Sequence, residues 1–332
     1  MNGATTIEAP SGDWGAKAVL NRVGPLLALA VVYGLFVLIG PESFREARTL
    51  ETIARQTTVV GIAALGMTVV MIAGAIDLSV GSIVAISSVV IAMLLRDAEA
   101  SPLVAALCGV AAGAAAGFIT GMIVTTFRVV PFIVTLGMMM ALRGVATGLA
   151  DKTKVYAPET WLQHLLVTLP AGMKWLLVAP GVWVLAVLAV LVGVLLRYTR
   201  FGRHVFAVGS NEATARLCGL AVGRIKVLVF ALGGAFAGLA GLMQFSRISA
   251  GDPRVAIGLE LDVIAAVVIG GGSLSGGEGS VLGTLVGALI MGVISSGCSH
   301  IGWDNWVQEI ITGGIIVVAV ALDRLRHRRT AG

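Results

Sequence analysis

Ten apolar runs follow one another along the chain, at about 25–40, 57–75, 80–95, 103–126, 131–150, 180–196, 227–246, 257–272, 280–298 and 306–322. A hydrocarbon layer of ~30 Å takes ~20 apolar residues of helix. Only 12% of the 332 residues are charged, against about 25% in an ordinary soluble domain. So apolar a chain cannot cover a water-facing surface, and lipid must be its solvent. The pattern predicts an all-α integral membrane protein with about ten transmembrane segments, some short or broken. The 257–272 run is short and can also be read as re-entrant. No cleavable signal pattern precedes the first run: a polar stretch with Lys17 and Arg22 leads into Pro25–Gly40 without an A-x-A site.

Charges set the orientation. With the N-terminus inside and ten crossings, thirteen Lys and Arg fall in inner segments and nine in outer ones. The densest basic tracts, 197–226 and 324–329, both fall inside, as the positive-inside rule asks. This divides the chain into a cytoplasmic tail (1–23), a transmembrane domain (24–323, with a cytoplasmic loop at 197–226) and a cytoplasmic basic tail (324–332). The basic residues lie at the ends of apolar runs, so they report topology and not nucleic-acid binding.

Small residues set the packing. Gly109, Gly113, Gly117 and Gly121 recur every fourth position and line one helix face. Gly234 and Gly238, and Gly283 and Gly287, repeat the spacing. In lipid, such faces let helix backbones approach closely.

Ionisable residues within apolar runs are the next candidates. A carboxylate at mid-membrane costs about 2.5–3.5 kcal/mol on insertion scales. Asp77 follows Gly74 and precedes Ser79. The triplet reads either as a helix break lining a path or gate, or as a short turn in which Asp77 caps the next helix. Arg143 lies in the fifth run, with seven residues between it and the loop at Asp151. Snorkelling to the outer interface is favoured there over a water-filled cavity. Glu260, Asp262 and Glu309 read as solvated helix ends, and no linked chain of acids suggests a proton relay.

The stretch 270–279 contains Leu274-Ser275-Gly276-Gly277-Glu278, close to a transporter-ATPase signature. No Lys-Ser/Thr follows and no strand–helix unit surrounds it, so it reads as a tight glycine turn. Cys108, Cys218 and Cys298 are scattered and give neither a disulfide framework nor a zinc signature. His164, His204, His300 and His327 have no metal-ligand spacing, which weighs against a membrane enzyme.

The loop 197–226 is the most informative segment. Ser210 or Asn211 can cap a short helix with Glu212 in its first turn, and Gly219 or Gly223 can end it. Ala213, Leu217 and Leu220 share one face, with Arg216 pointing elsewhere. A short amphipathic helix between two membrane segments suits docking to a partner, or lying on the lipid surface.

Four segments, in order between about 25 and 323, resemble the ribose/xylose/galactose-type permeases of bacterial ABC importers. They are Gly66–Ser82, Pro131–Gly137 followed by Arg143-Gly144, Gly202–Leu220, and the glycine-rich 270–287. The family commonly has glycine at Ala75 and serine at Cys218, both small-for-small differences. The resemblance implies a non-catalytic subunit of the inner membrane with both termini cytoplasmic. It pairs with a second copy, takes a monosaccharide from an extracytoplasmic binding protein, and binds no cofactor itself. ATP and magnesium belong to partner ATPase subunits docked on Asn211, Glu212, Ala215, Arg216, Leu217 and Gly219. Gly74, Asp77, Ser79, Thr135 and Arg143 become candidates for the pathway or gate. A near-complete swing between two access states needs about 5.5 kcal/mol of differential binding, and this chain carries no nucleotide motif to supply it. The rivals are a branched-chain amino-acid permease and an ion-coupled secondary transporter leaning on Asp77.

Overall fold

The structure, a computed structural model, describes residues 14–167 and 177–330. Residues 1–13 of the expected N-terminal tail, and Lys174 of the outer charge count, lie outside the described residues. The helices are α1 (Trp14–Ile39), α2 (Ala47–Ile72), α3 (Val80–Arg96), α4 (Pro102–Phe127), α5 (Pro131–Leu149) and α6 (Pro180–Tyr198). After these come α7 (Arg200–Ser210), α8 (Glu212–Leu217), α9 (Val222–Ile248), α10 (Leu259–Ile269), α11 (Val281–Ile301) and α12 (Asn305–Thr330). Two short strands, β1 (Val155–Tyr156) and β2 (Ala250–Gly251), pair antiparallel with Val155 opposite Gly251.

Local chemistry explains where the helices start. Pro102, Pro131 and Pro180 occupy the first turns of α4, α5 and α6, where no amide hydrogen is needed. The Ser101 and Ser280 hydroxyls accept from the backbone amides of Val104 and Gly283 at the starts of α4 and α11.

Among the described residues, six helices are long and apolar enough to cross a bilayer: α2, α4, α5, α6, α9 and α11. Gly24–Ile39, Val80–Arg96 and Trp306–Val318 are shorter apolar helical stretches. The run at 257–272 becomes α10, a helix of 11 residues, about 16 Å at 1.5 Å per residue and so roughly half the hydrocarbon layer. Helix α2 starts ten residues before its apolar run, at Ala47. Its early polar turns are held by neighbours: Arg55 donates to the Leu166 carbonyl and faces Glu51.

The bundle is apolar on both its inside and much of its outside. Helix α2 is buried through most of its length and packs on α6, α9, α10 and α11. By contrast, Leu27, Val31 and Leu38 of α1, Phe118 of α4, Met140 of α5 and Val190 and Leu191 of α6 are exposed. Such a surface fits a lipid solvent, and the chain is a multi-pass membrane protein.

The connections gather at two opposite ends. One end carries 40–46, 97–101, the β1–β2 pair and the loop before α10, tied together by the Lys154–Asp252 ion pair and by Ser246, which bonds to Gln163 and Leu166. The other end carries 128–130, the α2–α3 break, α7, α8 and the α10–α11 turn. The expected basic tail from 324 continues α12 as helix through Thr330.

Candidate functional site

Two places concentrate unusual chemistry, one at each end.

At the α8 end, three irregular segments meet. Helix α2 stops at Gly74, whose φ of +78° lets the chain reverse. The amides of Gly74 and Ala75 return to the carbonyls of Met71 and Val70 at 2.9 and 3.2 Å, a left-handed glycine cap. The Ile72 carbonyl is instead satisfied from far along the chain, by the Gly277 amide at 2.9 Å. Gly209, at the end of α7, lies so close that a Cβ there would fall on the same Ile72 carbonyl. A Cβ on Gly276 would strike the backbones of Gly74 and Gly209. The Leu-Ser-Gly-Gly-Glu stretch is therefore a tight turn wedged between the α2 terminus and the start of the α8 segment.

Asp77 is 1% exposed within the break. Its Oδ1 accepts from the Ser79 amide at 2.8 Å and hydroxyl at 2.6 Å, while its Oδ2 has no partner among the described residues. The Thr135 hydroxyl, one turn into α5, donates to the Ile76 carbonyl at 3.3 Å. Gly74, Asp77, Ser79 and Thr135 thus belong to one neighbourhood. Arg143 does not join them. Its Nη1 donates to the carbonyls of Pro253 and Val255 at 2.8 and 2.6 Å near the opposite end. At that end the guanidinium clamps a non-helical loop, whose carbonyls need donors.

The loop 197–226 folds as two helices, α7 and α8, where a single one is expected. Thr199 caps α7, and the Asn211 side chain caps α8 by accepting from the Thr214 amide at 2.9 Å. Gly219, at φ +79°, ends α8. Glu212 pairs with Arg216 at 2.6 Å and with Lys226 at 2.5 Å. Burial opposes its ionisation, but the two cations prevail and hold its carboxyl below the usual glutamate range. The expected apolar face is corrected: Ala215 is the buried residue, Ala213 is exposed, and Leu217 stands 89% exposed. The helix is too short for an apolar stripe, so its contact with the bundle rests on one small residue. Beside it, Val124, Arg128, Val130, Arg216 and Lys226 line a notch of about 380 Å3.

At the opposite end, a cavity of about 610 Å3 opens between α2, α9, α10, α11 and α12. Gln56, Gln244, Arg247, Asp262 and Glu309 bring polar groups into it, over Val59, Val60 and Met291. Asp262 and Glu309 were legible only as helix ends. Gln56 and Gln244 carry no charge and offered no signal.

The glycines of α4 are packing residues. Gly109 lies against Ile91 and Ser87 of α3, and Gly113, Gly117 and Gly121 against Val227, Phe230, Gly234 and Gly238 of α9. A Cβ on Gly117 would land on the Phe230 carbonyl. Among the described residues, no cluster of three or more His, Cys, Asp or Glu is placed to hold a metal ion.

Comparison with known proteins places this architecture. The ribose import permease protein RbsC of Escherichia coli K12 is 39% identical over 311 residues, covering 94% of this chain and 96% of that protein. The L-arabinose ABC transporter permease protein AraH of Azospirillum brasilense is 38% identical over 321 residues, 97% of this chain and 92% of the relative. The D-allose transport system permease protein AlsC of Escherichia coli K12 is 32% identical over 305 residues, 92% of each chain. No solved structure matches this chain. Residues 49–320 match the family model described as branched-chain amino acid transport system / permease component, and the chain belongs to that family of permease components.

Proposed function

We propose that this chain is the membrane-spanning subunit of an ATP-driven importer of a monosaccharide, in the bacterial inner membrane. The shorter apolar stretches of α1, α3 and α12, together with α10, join the six long apolar helices to make about ten crossings, with both termini cytoplasmic. A second copy completes the pathway. A binding protein delivers sugar at the cavity end, and ATPase subunits carrying ATP and magnesium dock on α8 with its exposed Leu217. The observation that carries the coupling role is the glycine junction behind α8, where Gly277, Gly209 and Ile72 touch backbone to backbone. A displacement of α8 reaches the α2–α3 break, with Asp77, Ser79 and Thr135, through contacts that have no flexible side chain to absorb it.

The sugar assignment is supported by the three relatives, each named for a sugar. A second reading, a branched-chain amino-acid substrate, has the family description in its favour. Co-reconstitution with the partner ATPase and binding protein tests the proposal: ATP-dependent uptake of a sugar is expected, and uptake that proceeds without any ATPase overturns it. In the same assay Leu217→Asp is expected to abolish ATPase co-purification, whereas full retention of the ATPase removes α8 as its docking point.

A further inference from the structure

The geometry points to the cavity between α2, α9, α10, α11 and α12 as a binding station for a neutral polyhydroxyl ligand, with Gln56, Gln244, Arg247 and Asp262 as its hydrogen-bonding residues. This rests on the reading of the chain as a sugar permease and assigns residues to it.

The first reason is unsatisfied chemistry. Among the described residues, none of these four side chains makes a hydrogen bond or ion pair. Gln244 is 4% exposed, and the Gln56 Oε1 is buried without a partner. Arg247 and Asp262 share the cavity without pairing with each other. Polar groups within a membrane domain are costly unless they are satisfied. Arg247 is exposed and Asp262 half-buried, so it is the buried Gln244 side chain and the Gln56 Oε1 that call for an occupant supplying donors and acceptors together.

The second reason is the match of chemistry and size. A hydroxyl donates and accepts at once. Two amides, a donor-only guanidinium and an acceptor-only carboxylate would suit several hydroxyls on one ring. Arg247 and Asp262 carry opposite charges and Glu309 adds a second carboxylate to the lining, so the cavity has no excess of positive charge to draw an anion. The volume of about 610 Å3 falls within the ~300–1,000 Å3 range of small-molecule sites. Val59, Val60 and Met291 supply an apolar surface for the C–H face of a sugar ring. Position adds a third reason: the four residues come from the outer turns of α2, α9 and α10, at the end away from α8, where a ligand delivered from outside arrives.

The test uses the full chain in lipid nanodiscs with saturation-transfer NMR, and D-ribose, L-arabinose, D-allose and L-valine as probes. Transfer to at least one of the sugars and none to L-valine is expected, falling about tenfold in Gln56→Leu and Gln244→Leu, the cost of one lost hydrogen bond. Transfer to L-valine alone, or to no probe, overturns the assignment. A second arm reconstitutes the same variants with the partner ATPase and binding protein. Sugar uptake is expected to fall while stimulated ATP hydrolysis persists, which shows that the assembly has formed. Unchanged uptake in both variants overturns the cavity assignment and leaves the sugar-permease reading standing. No ATP-driven sugar uptake by the unaltered chain overturns that reading itself.

Discussion

Along the seam between α4 and α9, Gly113, Gly117 and Gly121 bring two backbones together with almost no side chain between them. Around the cavity, by contrast, Gln56, Gln244, Arg247 and Asp262 bring in polar groups that do not pair with one another, and the Gln56 Oε1 is buried with no partner among the described residues. Both regions sit in the same apolar bundle. In the seam, dispersion between closely fitted surfaces is the main attraction available, since lipid supplies no hydrophobic drive. The cavity gives up that contact and keeps groups that only an occupant or water can satisfy. The difference separates a place built for rigidity from a place built for exchange, and substitutions should respond in opposite ways.

The largest effect is expected in the seam. Gly117→Leu drives a side chain into the Phe230 carbonyl and should cost more than about 3 kcal/mol, the upper end of overpacking penalties. Thermal unfolding followed by size exclusion should show loss of the monodisperse species. Ala115→Leu, on the exposed side of the same helix, should leave the melting temperature unchanged. Equal damage from both would mean that α4 has no packing face to protect.

Next comes the polar contact between α2 and α11, where the Thr68 and Thr284 hydroxyls meet at 2.7 Å, both buried. Thr68→Val should lower stability by about 1 kcal/mol, with the Thr284 hydroxyl left alone. A gain in stability would show that this contact behaves like the cavity and not like the seam.

The cavity should show the reverse sign. Gln244→Leu replaces an unpaired buried amide with an apolar group, and should stabilise by up to about 1 kcal/mol while transport falls. A clear loss of stability would mean that Gln244 holds the fold together.

The smallest effect belongs to Glu212, whose ion pair to Arg216 is open to solvent while that to Lys226 is partly buried. Glu212→Gln should cost only a few tenths of a kcal/mol. Because the folded-state pKa of Glu212 is depressed, its contribution is present above the ordinary glutamate value and is lost as pH falls through the folded value. Melting temperatures of wild type and Glu212→Gln should therefore differ at neutral pH and converge in acid. A difference that persisted in acid would assign the effect to packing.

Much of this was legible along the chain. The apolar runs mark helices because a bilayer demands an unbroken apolar length. The four-residue glycine spacing in α4 marks a face because a helix returns to the same side every fourth residue. The Asn211 cap and the Gly219 stop of α8 are local signals carried by the residues themselves. The outward turn of Leu217 was not legible, since the short α8 is oriented by its neighbours and not by its own pattern. Arg143 read as a snorkelling residue, because nothing near it in sequence discloses that the loop at 253–255 needs its donors.

The sequence by itself determined that this chain is a membrane bundle, where its main helices run and which of their faces approach closely, because hydrophobicity and helical period act over neighbouring residues. Only the tertiary structure decided that Gly74, Gly209 and Gly276 meet, and that Gln56, Gln244, Arg247 and Asp262 surround one cavity. Those residues lie far apart along the chain, and the requirement they share—backbones in contact at one end, unpaired polar groups at the other—exists only once the helices have packed.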